Sequence, residues 1–281
     1  PKSDLAHVTQ LTTLKFLTAK STRVDFAFID SELQLHIESH APGVYRLRCG
    51  KAKHLLDEKP SSRAKAHAEM LLARQEPISE LSVSSIAEQQ PQGWRLAQGD
   101  VVLELSNSPL QLSLHRGEHC VLRTQALTTL GHRETDATPV WRLGVELDDD
   151  DALYGLGETQ LDLDRRGELI VSDQPQARAL PLVWNPAGWG IYVNSLNGVE
   201  HDLGFHNPDL YAINLQDQIF DFFIFAGEPG EILNQYTALT GRAGQPGLWP
   251  MGIWLDQAPG QSVESTLNAV EQLRMGEFAL D

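Results

Sequence analysis

The chain has 281 residues, of which 41% are hydrophobic and 21% charged, and a formal net charge of −16. That composition suits a water-soluble globular protein with a sizeable core. With no dense Lys/Arg run, it argues against nucleic acid and anionic membrane surfaces as partners, because both need a basic footprint. No apolar run reaches bilayer-spanning length. The start, PKSDLAHVTQ, has no hydrophobic leader core, so a cytoplasmic location is expected, with periplasmic or secreted placement left open. Two cysteines, Cys49 and Cys120, are too few for a disulfide framework and read as free buried thiols.

From the N-terminus, apolar residues alternate with period two. Val24, Phe26 and Phe28 fall on one face, as do Leu33, Leu35 and Ile37, then Tyr45, Leu47 and Cys49. The same pattern returns at Val101, Leu103 and Leu105, at Leu110, Leu112 and Leu114, and at Trp141, Leu143, Val145 and Leu147. Later strands are expected over 190–194, 211–215 and 218–225. Turn signals at Ala41-Pro42-Gly43, Arg116-Gly117 and Asn185-Pro186 separate strands. Many short strands without intervening helices predict an antiparallel sandwich rather than a parallel sheet. One stretch departs from this: 62–75, SRAKAHAEMLLARQ, predicts a helix or a surface insertion.

Near residue 228 the period changes. Residues 228–241 predict a helix that starts at Pro229, stops at Gly241 and carries Ile232, Leu233, Tyr236 and Leu239 on one face. A Pro/Gly linker covers 244–250. A strand is expected over 251–255, a helix over 261–275 and the start of a strand over 278–280. Ser262 is the expected N-cap of that helix, Glu264 sits in its first turn, and Gly276 is placed at C′. Val263, Leu267, Val270 and Leu273 share its apolar face. Strand, helix, strand is the repeating element of a parallel barrel.

Three stretches in order resemble glycoside hydrolase family 31, the family of α-glucosidases and α-xylosidases. They are ALYGLGE at 152–158, PLVWNPAGWGIYVNS at 181–195, and YTALTGRAGQPGLWPMGIW at 236–254. The resemblance covers about residues 140–281 and implies a galactose-mutarotase-like antiparallel β-sandwich followed by a (β/α)8 barrel. Residues 1–245 would be the sandwich and 246–281 the first βα unit. Since a complete barrel needs roughly 250 residues, the chain reads as the front part of a larger enzyme.

Enzymes of that family are retaining: one aspartate attacks the anomeric carbon while a second carboxylic acid protonates the leaving oxygen. The resemblance places both on later barrel strands, so no residue of this chain inherits a catalytic role. It does imply substrate contacts. The loop over 159–180 would carry Asp173 to the pocket rim, where a carboxylate accepts sugar hydroxyls; the plainer alternative is a solvated loop acid. Trp254 and Asp256 would lie at the end of the first barrel strand. There Asp256 could bind a hydroxyl, and Trp254 would either stack on a sugar or, more simply, fill the barrel core. Asp281 would open the second strand and takes no catalytic role. The expected partner is an α-glycoside. Homo-oligomers through exposed barrel elements are a further expectation, because a barrel start without its neighbours leaves apolar surface and an open strand edge.

No cofactor is expected. His36, His40, Cys49 and His54 lack the spacing of a zinc site, and the acidic run 148–151 reads as a solvated turn before it reads as a calcium loop. Gly155-Leu156-Gly157 lacks the context of a nucleotide loop, and no G-x-S-x-G elbow occurs. Two other functions compete: a stand-alone carbohydrate-binding or structural sandwich, and a mutarotase-like epimerase. The latter needs a His/Glu acid–base pair, for which His201 or His206 with Glu200 are the local candidates.

Overall fold

The computed structural model of the protein describes residues 8–29, 31–55, 72–73, 77, 79–86, 93–107, 109–135, 138–158, 162–172, 180–251 and 259–278. Apart from Leu72 and Ala73, the helix expected over 62–75 lies outside them. The chain divides into two compact units, Pro1–Gly241 and Arg242–Asp281.

The first unit is mainly β, and every strand pairing in it is antiparallel. An eight-stranded sheet runs Tyr154–Gly155, Leu182–Asn185, Trp189–Val193, Phe220–Ala226, Val44–Lys51, Leu33–Ala41, Arg23–Phe28, Leu14–Ala19. A six-stranded sheet runs Thr9–Gln10, Leu130–Arg133, Val140–Glu146, Leu210–Gln216, Val199–Leu203, Leu169–Val171. A five-stranded sheet orders His119–Arg123, Gln111–Arg116, Val101–Ser106, Gly93–Gln98, Ser82–Ile86. The bridge Thr124↔Val145 joins the last two sheets.

One core lies between these layers, and period-two alternation fills it. Phe26, Ile37, Leu47, Phe222 and Ile191 come from the eight-stranded sheet and meet Leu96, Leu103, Leu114, Trp141 and Ile213 from the others. Burying each such side chain contributes about 1.5–3 kcal/mol. Phe26 packs on Trp94 with ring centroids 4.9 Å apart. The buried Tyr45 hydroxyl donates to the carbonyls of Leu96 at 2.8 Å and Val101 at 3.0 Å, so it ties two sheets together. The Pro42-Gly43 turn needs its glycine: Gly43 has φ +74°, and a Cβ there would stand 2.8 Å from the Ala226 carbonyl oxygen.

The far face of the eight-stranded sheet has two ends. At one, Val44, Tyr192, Phe223 and Phe225 form an apolar patch with Leu72 and the helix α2, Pro229–Thr240 (α1 is the single turn Ala52–Leu55). Helix α2 begins as its sequence predicts, with Pro229 in the first turn and the Glu231 carboxylate accepting the Glu228 N–H at 2.8 Å. Ile232 and Leu239 are buried, Tyr236 is half-buried, and Leu233 points outward at 42% exposure. A stripe centred on Ile232 and Leu239 leaves Leu233 at its margin.

The second unit holds a 3-10 turn, Trp249–Met251, and the helix α3, Val263–Met275. Met251, expected to open a strand, instead closes that turn, and 252–255 lie outside the described residues. Ser262 caps α3 as expected, accepting the Ser265 N–H at 3.1 Å. The other end differs from expectation. Gly276 keeps φ −80°, and Glu277 takes the left-handed position at φ 59°. The Glu277 N–H reaches the Arg274 carbonyl and the Phe278 N–H the Leu273 carbonyl, both at 3.1 Å, the paired bonds of a Schellman end. The glycine sits one place too early to serve as C′. No residue of α3 is buried.

Candidate functional site

The expected contacts Asp173, Trp254 and Asp256 all lie outside the described residues, as does Asp281. What is described is the arch that leads to Asp173. Gly155, Leu156 and Gly157 have φ of 112°, 61° and 78°, three successive residues with positive φ. A Cβ on Gly155 would stand 2.1 Å from the Leu182 carbonyl oxygen. Leu156 pays about 1–2 kcal/mol for its left-handed backbone. Its side chain, 2% exposed, is buried in the core, and its N–H bonds Leu182 O at 2.9 Å.

Arg165 holds this turn. It is 5% exposed, and its guanidinium donates to the carbonyls of Gly155 and Gly157, both at 3.4 Å, and of Asp162 at 2.5 Å. Its N–H bonds Leu153 O at 2.7 Å. The Asp164 carboxylate accepts the N–H groups of Leu153 and Arg166, each at 3.0 Å. Arg166 ties the carbonyls of Asp148, Asp151 and Pro208. The return strand Leu169–Val171 pairs with Val199–Leu203 and hands over to Ser172, whose hydroxyl accepts the Val199 N–H at 2.9 Å. Beside the turn, the cross-strand neighbours Tyr154 and Trp184 stack at 4.7 Å. Arginines thus organise backbone carbonyls into a rigid mount for the loop. Nothing in the sequence pattern singles out Arg165. Its only signal, a cation among Asp162, Asp164 and glycines, is ordinary in a loop.

The second polar assembly fills the other end of the eight-stranded sheet's far face. Arg23 grips Asp25 through two bonds of 2.5 and 3.0 Å, Arg46 grips Asp221 at 2.9 and 2.6 Å, and Arg48 reaches Glu38 at 2.6 Å. Asn194 donates to Asp221 at 2.7 Å. His36 and His40 are fully buried beside these charges. Burial, with Arg23 next, lowers His36 to about 4, and burial also lowers His40. Burial works to raise the Glu38 carboxyl, but the His40 hydrogen bond and the Arg48 and Arg46 charges outweigh it and hold it at about 2. Sequence periodicity missed this ladder because it marks one buried face, and here both are buried.

The candidate acid–base pair for an epimerase does not form. His201 and Glu200 point to opposite faces: His201 Nδ1 lies 2.8 Å from the Tyr211 hydroxyl, and Glu200 accepts from Asn214 at 2.9 Å. His206 pairs instead with Asp202 at 2.7 Å. Among the described residues the one close His/Glu pair on the far face, His40 with Glu38 at 3.5 Å, is locked among arginines, with its carboxylate far too acidic to take a proton near neutrality. Cys49 lies on the core face, opposite His36 and His40, so that set cannot converge on a metal. Among the described residues no three His, Cys, Asp or Glu side chains are grouped to hold one. Asp151 spends its carboxylate on the Asp148 N–H and the Asn185 amide. Cys120, expected to be buried, is exposed, because it sits on the edge strand of the five-stranded sheet.

The class to which this architecture belongs emerges from proteins of known structure. The chain is similar to a Flavobacterium johnsoniae GH31 dextranase, with a TM-score of 0.76 at 17% identity over 96% of this chain and 33% of that one. It is also similar to a GH31 α-xylosidase from a soil metagenome, with a TM-score of 0.75 at 18% identity over 94% of this chain and 40% of that one. The fold is therefore that of the N-terminal β domain of such enzymes. No family model matches the chain. Among curated proteins it resembles α-xylosidase XylQ of Lactiplantibacillus pentosus, 24% identical over 143 residues, which are 47% of this chain and 19% of that protein. It also resembles α-glucosidase 2 of Bacillus thermoamyloliquefaciens, 31% identical over 124 residues, 38% of this chain and 15% of that protein. The resemblance to glycoside hydrolase family 31 thus holds in sequence and in fold over part of the chain. The chain spans less than a fifth of the length of these two curated relatives.

Proposed function

We propose that this chain is the N-terminal part of a retaining α-glycosidase-like enzyme, supplying the β platform and one rim of the substrate pocket. The bond-breaking carboxylates would lie on residues outside 1–281. The observation that carries the reading is the arginine-held arch at 153–172, which mounts the loop bearing Asp173 within a fold shared with GH31 enzymes. The relatives' names, α-xylosidase, α-glucosidase and dextranase, support an α-linked glucoside or xyloside as substrate.

A retaining mechanism needs two carboxyl groups about 5–5.5 Å apart across one glycosidic bond. The buried carboxylates Asp25, Glu38 and Asp221 are each consumed by an arginine. Asp202 is consumed by the N–H groups of Phe205 and His206 and by the His206 ring. In this reading residues 1–245 form the sandwich and 246–281 begin the barrel, with Asp173 and Asp256 binding hydroxyls and Trp254 at the strand end. The 281-residue chain hydrolyses nothing by itself. The test is twofold. An aryl α-glucoside and an aryl α-xyloside should show no turnover with the purified chain, and isomaltotriose titration should give binding that Asp173→Ala removes. Turnover would move the chemistry into this chain, and binding unchanged by Asp173→Ala would take the loop out of the rim.

A further inference from the structure

Away from the arch, Lys51, Lys53, His54, His132 and Glu134 line a surface pocket of about 70 Å³, with Trp141 among its walls. In a chain of net charge −16, two lysines face one acid here among the described residues. Lys51 Nζ reaches Glu134 Oε1 at 3.0 Å. The His132 ring is fixed against Trp141, with centroids 4.5 Å apart. Its buried Nε2 has no hydrogen-bond partner and stands 3.6 Å from Glu134 Oε2, just out of reach. Each lysine carries three N–H donors, and among the described residues Glu134 is the one carboxylate that lines the pocket. The bond from Lys51 depresses the Glu134 pKa, with the Lys51 charge and then His132 and Lys53 adding to it, while burial lowers the pKa of His132 itself. Glu134 thus occupies the focus of this cationic field.

We propose that the pocket is a binding site for a small oxyanion, phosphate in its simplest form, and that the Glu134 carboxylate is its internal stand-in. Three features carry this. The pocket is small, far below the several hundred Å³ of pockets that enclose larger ligands. The His132 Nε2 is a fixed polar atom awaiting a partner that Glu134 does not quite supply. Finally, Glu134 is 55% exposed, and its ion pair with Lys51 is of the surface kind, worth roughly 0–1 kcal/mol, so an incoming anion displaces it at small cost. Free phosphate and the phosphate of a phosphorylated sugar share this chemistry. The inference goes beyond the glycosidase reading and does not rest on it.

The test is calorimetric titration of the full chain with inorganic phosphate and with glucose 6-phosphate at constant ionic strength, with chloride as the control. Saturable binding of phosphate is expected. Lys51→Met with Lys53→Met should abolish it, while Glu134→Gln, which removes the competing negative charge, should tighten it about fivefold. Circular dichroism checks that each variant is folded, and Lys53→Met alone stands in for the double variant should that one unfold. Tighter binding of glucose 6-phosphate than of phosphate would assign the site to a phosphorylated sugar, and equal or weaker binding to the free ion. No saturable heat with either the wild type or Glu134→Gln, or binding unchanged by loss of the lysines, would overturn the proposal.

Discussion

Helices α2 and α3 carry the same written instructions and meet different ends. Each has a start signal, an apolar stripe and a glycine at its stop, and each forms where its sequence predicts. Yet α2 buries Ile232 and Leu239 against the sheet, whereas Val263 and Leu267 of α3 stay 70% and 60% exposed. Amphipathic spacing states which face a helix would bury. It does not state that a partner is present. Capping and propensity can therefore specify a helix that contributes little to the stability of what surrounds it.

The sharpest way to break this contrast begins on the same sheet face that α2 covers, at its polar end. Asp221→Ala would strand the buried Arg46 guanidinium, and a loss of about 3–5 kcal/mol is expected in urea denaturation. Next comes Ile232→Ala, expected to cost about 2–5 kcal/mol. Its counterpart Leu267→Ala should stay within about 0.5 kcal/mol. Comparable losses for both would show that α3 buries its stripe in solution. A third effect depends on pH. The lowered pKa values of His36 and His40 mean that the unfolded chain takes up protons first. Their contribution is complete above the ordinary histidine value near 6.5 and is lost as pH falls, down to about 4 for His36, by at most ~1.4 kcal/mol per pH unit per histidine. The urea midpoint should drop between pH 7 and pH 5, and less so in His36→Gln. Glu38 plays no part in that window, since its pKa falls from 4.5 to about 2. The smallest expected effect is Glu277→Gly, which relieves the left-handed position after α3 and should raise helix content slightly by circular dichroism.

The comparison also explains what the sequence made legible. Strands with one buried face, such as Val101–Ser106 and Gln111–Arg116, announce themselves by alternation. The ordered motifs at 152–158 and 181–195 pointed to the right family resemblance. Edge strands such as Leu14–Ala19, exposed over most of their length, carry weak alternation and went unpredicted. So did the pairing of Arg46 with Asp221, 175 residues apart, because a charge pattern does not name its partner. Arg165 was hidden for a related reason: its partners are carbonyl oxygens, which every residue has. Gly276 misled for a local reason, since a glycine near a helix end suggests the terminator while the left-handed position falls on Glu277.

The two thiols offer a built-in clock. Cys49 lies in the centre of the sandwich with no exposed surface, and burial pushes its thiol up and keeps it protonated. Cys120 sits in the open on an edge strand. An alkylating reagent will consume the second within its intrinsic reaction time and must wait for the layers to part before it finds the first. The slow phase of labelling therefore times the opening of the whole sandwich, with no probe added.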